Sequence, residues 1–170
     1  MSDWNKLSFR RSTENVKRIS LSGTGLCVSF QLRRTSRAIT QLYDAALQPS
    51  GIRSTQFALL VAIAKKEPIS ISALGDLLVI NPTTLSRSLP KLERMGHIRF
   101  VHGSDHRERL VRLTAKGRNV LEKSLPYWRK VQAEVVSNLV QPSWHEIQKS
   151  LERIKRVSQE VLKEGTVRGG

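Results

Sequence analysis

Apolar side chains recur at three- and four-residue steps along most of the chain, which is the spacing of one buried face of an α-helix. This pattern predicts six helices, over residues 26–47, 54–64, 71–78, 82–95, 115–140 and 147–161. Between the fourth and fifth helices the period changes to two, which predicts short strands over residues 97–101 and 109–113. The sequence therefore predicts a mainly α-helical fold with one small β-hairpin.

The third and fourth predicted helices are short and follow each other closely. Ser70 and Asn81 are good N-cap residues, and Pro82 suits the first position of a helix. Ser54 and Thr114 are predicted to cap the second and fifth helices in the same way. Two short helices joined by a tight turn are typical of a helix-turn-helix, and the hairpin that follows makes the pattern a winged helix-turn-helix.

Pro90 conflicts with an uninterrupted fourth helix. It lacks the backbone N–H that would bond to the Ser86 carbonyl, and an interior proline costs on the order of 3 kcal/mol. The helix is therefore expected either to kink at Pro90, which would re-aim its first two turns, or to end earlier than residue 95.

Charge and composition narrow the class of protein. The 170 residues carry 29 Lys and Arg against 14 Asp and Glu, a net charge of +15, which favours a polyanionic partner. A single cysteine, Cys27, cannot form an intrachain disulfide. The chain has no signal-like segment, and no apolar run approaches the ~18 residues of a membrane span. We therefore expect a cytoplasmic protein with no membrane contact.

The residues needed for common catalytic and metal sites are missing from the sequence. His145-Glu146 begins like a metalloprotease motif, but Lys149 stands where the second histidine belongs. The sequence contains no paired cysteines, no GxSxG elbow and no Walker-type loop. We therefore predict no enzyme activity, no metal site and no cofactor.

Positive charge is concentrated between Arg87 and Arg118, where nine basic residues face three acidic ones. The second helix of a helix-turn-helix enters the DNA major groove with its N-terminal part toward the bases. The predicted DNA-binding residues are Asn81, Thr83, Thr84, Ser86, Arg87, Ser88 and Lys91 on this helix, with Arg107 and Arg109 in the hairpin. The alternative is that the hydroxyl groups only cap and solvate the helix.

Two of these residues, and one acidic residue of the hairpin, have specific expected roles. Arg87 can bond guanine O6 and N7 in a bidentate manner. Arg107 lies at the hairpin tip, where an arginine can enter a narrow A·T-rich minor groove. Asp105 would repel phosphate, so we expect it to pair with a nearby arginine and order the wing.

The first helix and the last two lie outside the winged-helix core and carry apolar stripes that this small core cannot cover. Burial of apolar surface is worth ~25 cal/mol per Å², which favours association of two copies about a two-fold axis. Packing within one chain is the alternative. The predicted organisation is a flexible basic arm (1–22), which either has no role or touches DNA, an N-terminal dimerisation helix (23–50), a winged helix-turn-helix DNA-binding domain (51–113), C-terminal dimerisation helices (114–165) and a tail (166–170).

Several motifs occur in a recognisable order. They are Gly51-Ile52 with Thr55-Gln56-Phe57, then Leu74-Gly75-Asp76-Leu77-Leu78, then Thr83-Thr84-Leu85-Ser86-Arg87 with Leu92-Glu93-Arg94-Met95-Gly96, and finally Asp105-His106-Arg107-Glu108-Arg109 with Val111-Arg112-Leu113-Thr114-Ala115-Lys116-Gly117. Over residues 26–162 the chain resembles the multiple-antibiotic-resistance regulator (MarR) family of bacterial transcription factors. Pro90 departs from the commonest family pattern.

The resemblance implies a two-fold dimer, usually a repressor, that binds double-stranded DNA at a pseudo-palindromic operator. The helix that starts at Pro82 matches the DNA-reading helix of the family, Arg107 matches its wing arginine, and Asp105 matches the acidic partner of that arginine. Family members often release DNA when a small phenolic, aromatic or lipophilic effector binds between the dimer helices and the winged-helix lobe. The corresponding pocket walls here would include Leu42, Tyr43, Phe57 and Leu60.

Cys27 supports an alternative function. One branch of the family senses organic hydroperoxides through a cysteine early in the first helix, and Leu26-Cys27 looks similar. A helix N-terminus and nearby arginines favour a reactive thiolate, whereas a small buried apolar role is the other interpretation. A non-regulatory architectural DNA-binding protein is a further alternative, since such a protein would bind most sequences alike.

Overall fold

The computed structural model describes residue 24, residues 27–103 and residues 109–167. Within these residues the α-helices are α1 (Val28–Leu47), α2 (Ser54–Lys66), α3 (Ile71–Leu78), α4 (Pro82–Arg94), α5 (Ala115–Asn138) and α6 (Trp144–Val167), and the strands are β1 (Ile69–Ser70), β2 (Ile98–His102) and β3 (Arg109–Leu113). The predicted mainly helical fold with a winged helix-turn-helix is confirmed. The predicted arm over residues 1–22 lies outside the described residues, as do Asp105 and Arg107.

The sheet has three strands in the order β1-β3-β2, all antiparallel. The predicted hairpin is β2 with β3, in which Ile98 lies opposite Leu113. β1 was not predicted, because a two-residue strand shows no alternation. It pairs Ile69 with Val111, and its second residue, Ser70, also caps α3 by accepting the Ala73 N–H at 3.2 Å.

A tight turn joins α3 to α4. Val79 takes a left-handed conformation with φ at 53°, and the Ile80 N–H then donates to the Gly75 carbonyl at 2.9 Å. A Cβ on Gly75 would lie 3.0 Å from the Ile80 carbonyl oxygen, so this position favours glycine. Asn81 accepts the Thr83 N–H at 2.9 Å and caps α4, as predicted.

The helix α4 continues through Pro90 and ends at Arg94, so the proline does not terminate it. Leu85, Leu89 and Leu92 lie on one face and are almost completely buried. Their burial offsets the missing backbone bond, because tertiary packing supplies most of the stability of a short helix.

The start of α2 differs from the expectation that Ser54 caps it. The N-cap is Arg53, whose N–H donates to Gln56 Oε1 at 2.9 Å. The Ser54 N–H and hydroxyl instead both donate to Asp44 Oδ1, at 2.7 and 2.6 Å. These bonds favour the carboxylate and hold the pKa of Asp44 below its usual value.

The start of α5 and the base of the hairpin form a junction held by hydrogen bonds. Thr114 accepts the Gly117 N–H at 3.0 Å, which confirms the predicted cap, and its hydroxyl donates to the Gly96 carbonyl at 2.6 Å. Glu67 accepts the Leu113 N–H at 2.8 Å and forms an ion pair with Arg118. These contacts fix the base of the hairpin against α2 and α5.

His97 is buried at the same junction. Its Nδ1 atom finds no hydrogen-bond partner among the described residues. Burial, and then the charge of Lys116, lower the pKa of His97, so the ring is neutral at pH 7.

Candidate nucleic-acid interface

α4 presents one apolar and one polar face. Leu85, Leu89 and Leu92 face the core, whereas the opposite face is exposed and carries hydroxyl and cationic groups. The exposed residues are Asn81, Thr83, Thr84, Ser86, Arg87 and Lys91, and Ser88 is half-buried. The seven predicted DNA-binding residues of this helix thus lie on or beside one solvent-facing surface.

The hydroxyl groups on α4 are partly used by the helix itself. Ser86 Oγ donates to the Thr83 carbonyl at 2.8 Å, and Ser88 Oγ donates to the Thr84 carbonyl at 2.9 Å. Their hydrogens are therefore engaged, and their oxygens remain as hydrogen-bond acceptors. Arg87 is exposed, and no carboxylate in the described part of the chain forms an ion pair with its guanidinium.

Arg109 occupies a different position from the residues of α4. It lies at the start of β3, opposite His102, and its guanidinium sits 4.3 Å from the centre of the Phe100 ring. This cation–π contact holds the arginine against the hairpin.

A cavity of about 670 Å³ lies beside α2. Its walls include Tyr43 and Phe57, two of the four predicted pocket residues. Leu60 does not line the cavity, because it lies on the buried face of α2 and its side chain is completely enclosed by the core. Leu42 does not line it either and is a partly exposed side chain of α1.

Three aromatic side chains, Tyr43, Phe57 and Trp128, line this cavity. The Phe57 and Trp128 rings lie 6.0 Å apart at 23° to each other. The Tyr43 hydroxyl donates to Gln132 Oε1 at 2.5 Å, and burial raises the pKa of this tyrosine. Lys65 also lines the cavity and supplies a cation. The prediction missed Trp128 and Lys65, although Trp128 belongs to the apolar stripe of the fifth predicted helix.

Comparison with known proteins identifies the family. The MarR family model matches residues 52–108. The chain is 36% identical over 110 residues to the Escherichia coli transcriptional regulator HosA, a match that covers 64% of this chain and 80% of HosA. It is also similar to the Mycobacterium tuberculosis transcriptional regulator MosR in complex with DNA, with 35% identity, a TM-score of 0.74, and coverage of 79% of this chain and 98% of MosR.

The chain belongs to the MarR family. It is therefore a DNA-binding transcriptional regulator and not an enzyme, as predicted. A mutant Escherichia coli MarR complexed with operator DNA, at 21% identity and a TM-score of 0.71, has the same fold over 80% of this chain and 99% of that chain.

In this MarR-family chain, the remaining expectations concern thiol oxidation at Cys27, metal binding and membrane spans. Cys27 is exposed and lies directly before α1, which is not the buried position of a purely apolar cysteine. Oxidation sensing through this thiol stays a prediction. Among the described residues, no group of His, Cys, Asp and Glu is arranged to hold a metal ion, and no helix is long and apolar enough to cross a membrane.

Proposed function

We propose that this MarR-family regulator is a homodimeric repressor that binds a pseudo-palindromic operator and releases it when a small effector enters the cavity beside α2. The observation that carries the proposal is the exposed polar face of α4, which has a leucine face anchored in the core behind it. A rigid helix with outward cations and hydroxyls suits the major groove. The 35% identity to MosR, which was solved with DNA, supports the same use of this helix.

Exposed apolar side chains support the homodimer. Within residues 144–165 of α6 no side chain is fully buried, although Leu151, Ile154, Val157 and Val161 recur at three- and four-residue steps. α1 exposes Ile39 and Leu42 in the same manner. Two helices with uncovered apolar stripes favour a second copy as the partner, so we assign residues 23–50 and 114–165 to dimerisation and residues 51–113 to DNA binding.

The test of the regulator is selective binding. Genomic fragments retained by the purified protein are sequenced, and the affinity for the retained palindrome is compared with that for random duplex at one stated salt concentration. A repressor is expected to prefer its operator by at least ~10³-fold. A ratio near one would instead indicate an architectural DNA-binding protein.

Arg87→Ala should weaken binding to the operator by ~1–3 kcal/mol and leave binding to random duplex nearly unchanged, because a bidentate guanine contact exists only at the correct base. Fluorescence anisotropy with both duplexes measures this difference. The matched control is Arg129→Ala on α5, which removes the same charge from another exposed position. An unchanged operator-to-random ratio in Arg87→Ala would show that this arginine does not read a base.

The cavity supports the effector part of the proposal. It combines the Phe57–Trp128 ring pair with the Tyr43 hydroxyl and the Lys65 cation, which suits a phenolic, aromatic or lipophilic molecule. Because α2, α3 and α5 all contribute to its walls, an occupant would contact both the winged helix and a proposed dimerisation helix.

Ala58→Phe should block the effector response, because Ala58 is an exposed residue of the cavity wall and a ring there would occupy part of the cavity and obstruct an effector. Phenol, benzoate and octanoate serve as probes of the three effector classes. We expect at least one of them to raise Tm and lower operator affinity in the wild type and in the control Ala133→Phe, but not in Ala58→Phe. Equal responses in all three proteins would place the effector elsewhere, and no response to any probe would count against this effector class.

A further inference from the structure

Two arginines lie directly opposite each other in the hairpin. The antiparallel register of β2 and β3 pairs Arg99 with Arg112. Side chains in such pairs have Cβ atoms roughly 4.5–5.5 Å apart, and like charges there destabilise the sheet. The fold thus places two positive charges together at a position where they oppose its own stability.

Strand alternation turns both side chains away from the core. Their sequence neighbours Ile98, Val111 and Leu113 are buried, so Arg99 and Arg112 lie on the opposite face of the hairpin. Arg99 is exposed and Arg112 is half-buried. The pair therefore forms a compact cationic site on the outer face of the wing.

Neither guanidinium is neutralised within the described part of the chain. Arg118 forms an ion pair with Glu67, and Arg53 lies near Asp44, whereas no described carboxylate pairs with Arg99 or Arg112. Among the described aromatic rings, none stacks on Arg99 or Arg112 in the way that Phe100 stacks on Arg109. Within the described residues, the two positive charges therefore have no counter-charge of their own.

Protection of an exposed sheet edge does not explain the pair. Charged residues on edge strands prevent pairing between molecules, and β2 is an edge strand, so this account suits Arg99. Arg112, however, lies in β3, the central strand of the sheet. A cation in the central strand, opposite a second cation, needs a different reason.

We propose that Arg99 and Arg112 clamp a phosphate of the DNA backbone on the outer face of the wing. Guanidinium groups match the geometry of phosphate oxygens, and two of them around one phosphodiester would turn a repulsive pair into a binding site. The clamp reads no base, so it acts alike on all DNA sequences. It rests on the proposed function, since it needs the winged helix to dock on DNA.

The experiment compares wild type with Arg99→Gln, Arg112→Gln, the double variant and the control Arg129→Gln. Affinity for operator and random duplex is measured from about 50 to 300 mM salt, and Tm is measured without DNA. Each clamp substitution should make the negative slope of log affinity against log salt shallower by ~0.9 and weaken binding to both duplexes by the same factor, about tenfold. Tm should rise by about 1–4 °C in either single variant and no further in the double variant, because one substitution already ends the repulsion.

The outcomes separate the clamp from the wider proposal. Slopes equal to that of Arg129→Gln, in protein that still prefers its operator, would overturn the clamp alone. A loss of affinity for the operator alone would also overturn the clamp, because that result would show that these arginines read bases. Wild-type protein that binds neither duplex at the lowest salt would overturn the proposed function and the clamp with it.

Discussion

Gly117→Ala should destabilise the fold by about 3 kcal/mol. Gly117 lies in the first turn of α5, where an added Cβ would stand 1.9 Å from the His97 carbonyl oxygen and 2.8 Å from the carbonyl carbon. The neighbouring atoms belong to the backbone, so no side-chain rotation relieves the clash. That carbonyl also accepts the Thr114 N–H at 3.1 Å, so moving it would disturb the cap of α5.

Urea unfolding monitored by circular dichroism measures this loss. The control is Gly165→Ala in α6, where the added Cβ would point into open space. That substitution should be neutral or stabilise the protein by ~0.5–1 kcal/mol, because alanine loses less entropy than glycine in a helix. Equal unfolding midpoints for wild type and Gly117→Ala would show that α5 packs less closely against His97 than the structure indicates.

The sequence predicts the helix that contains Gly117, but it does not predict the close approach of Gly117 to the His97 carbonyl. Helix positions follow from local signals, such as the caps at Asn81 and Thr114 and the leucine spacing of α4. A close approach between the first turn of α5 and the start of β2 depends on tertiary packing. The glycine alone therefore indicates neither its partner nor its distance.

In the candidate interface, too, some features can be predicted from the sequence and others are seen only in the structure. Amphipathic spacing predicts which face of α4 is exposed, because the leucines must be buried. It does not predict that Ser86 and Ser88 donate to the helix backbone, or that Arg109 stacks on Phe100. Each of these groups has several possible partners nearby, and its side-chain conformation decides which one it contacts. The pattern of residues does not specify that conformation.

Strand register is the other property that only the structure supplies. The alternation over 97–101 and 109–113 predicts two strands, but a shift of one residue would exchange the faces of every side chain. The observed pairing of Ile98 with Leu113 fixes Arg99 opposite Arg112. The cationic pair on the outer face is thus a consequence of register and not of composition.

The double variant Val157→Glu with Val161→Glu should convert the proposed dimer into monomers and lower operator affinity by ~10²-fold or more. Val157 is 46% exposed and Val161 is 62% exposed. None of the described side chains of α6 is fully buried. Carboxylates at these positions would be desolvated and would repel their counterparts in the partner copy. A monomer contacts one half-site and loses the gain in effective concentration from the second.

Sedimentation velocity and operator anisotropy test both parts of this expectation. The control is Gln148→Glu with Gln159→Glu, which introduces the same two charges at exposed positions of α6 and leaves the apolar stripe intact. The control should remain dimeric and bind the operator with nearly wild-type affinity. If the valine variant sediments as the wild type does, the α6 stripe is not the dimer interface, and the two copies must associate through another surface. If the wild type itself is a monomer that still binds its palindrome tightly, the two-fold arrangement is wrong, because a single α4 would then account for all of the affinity.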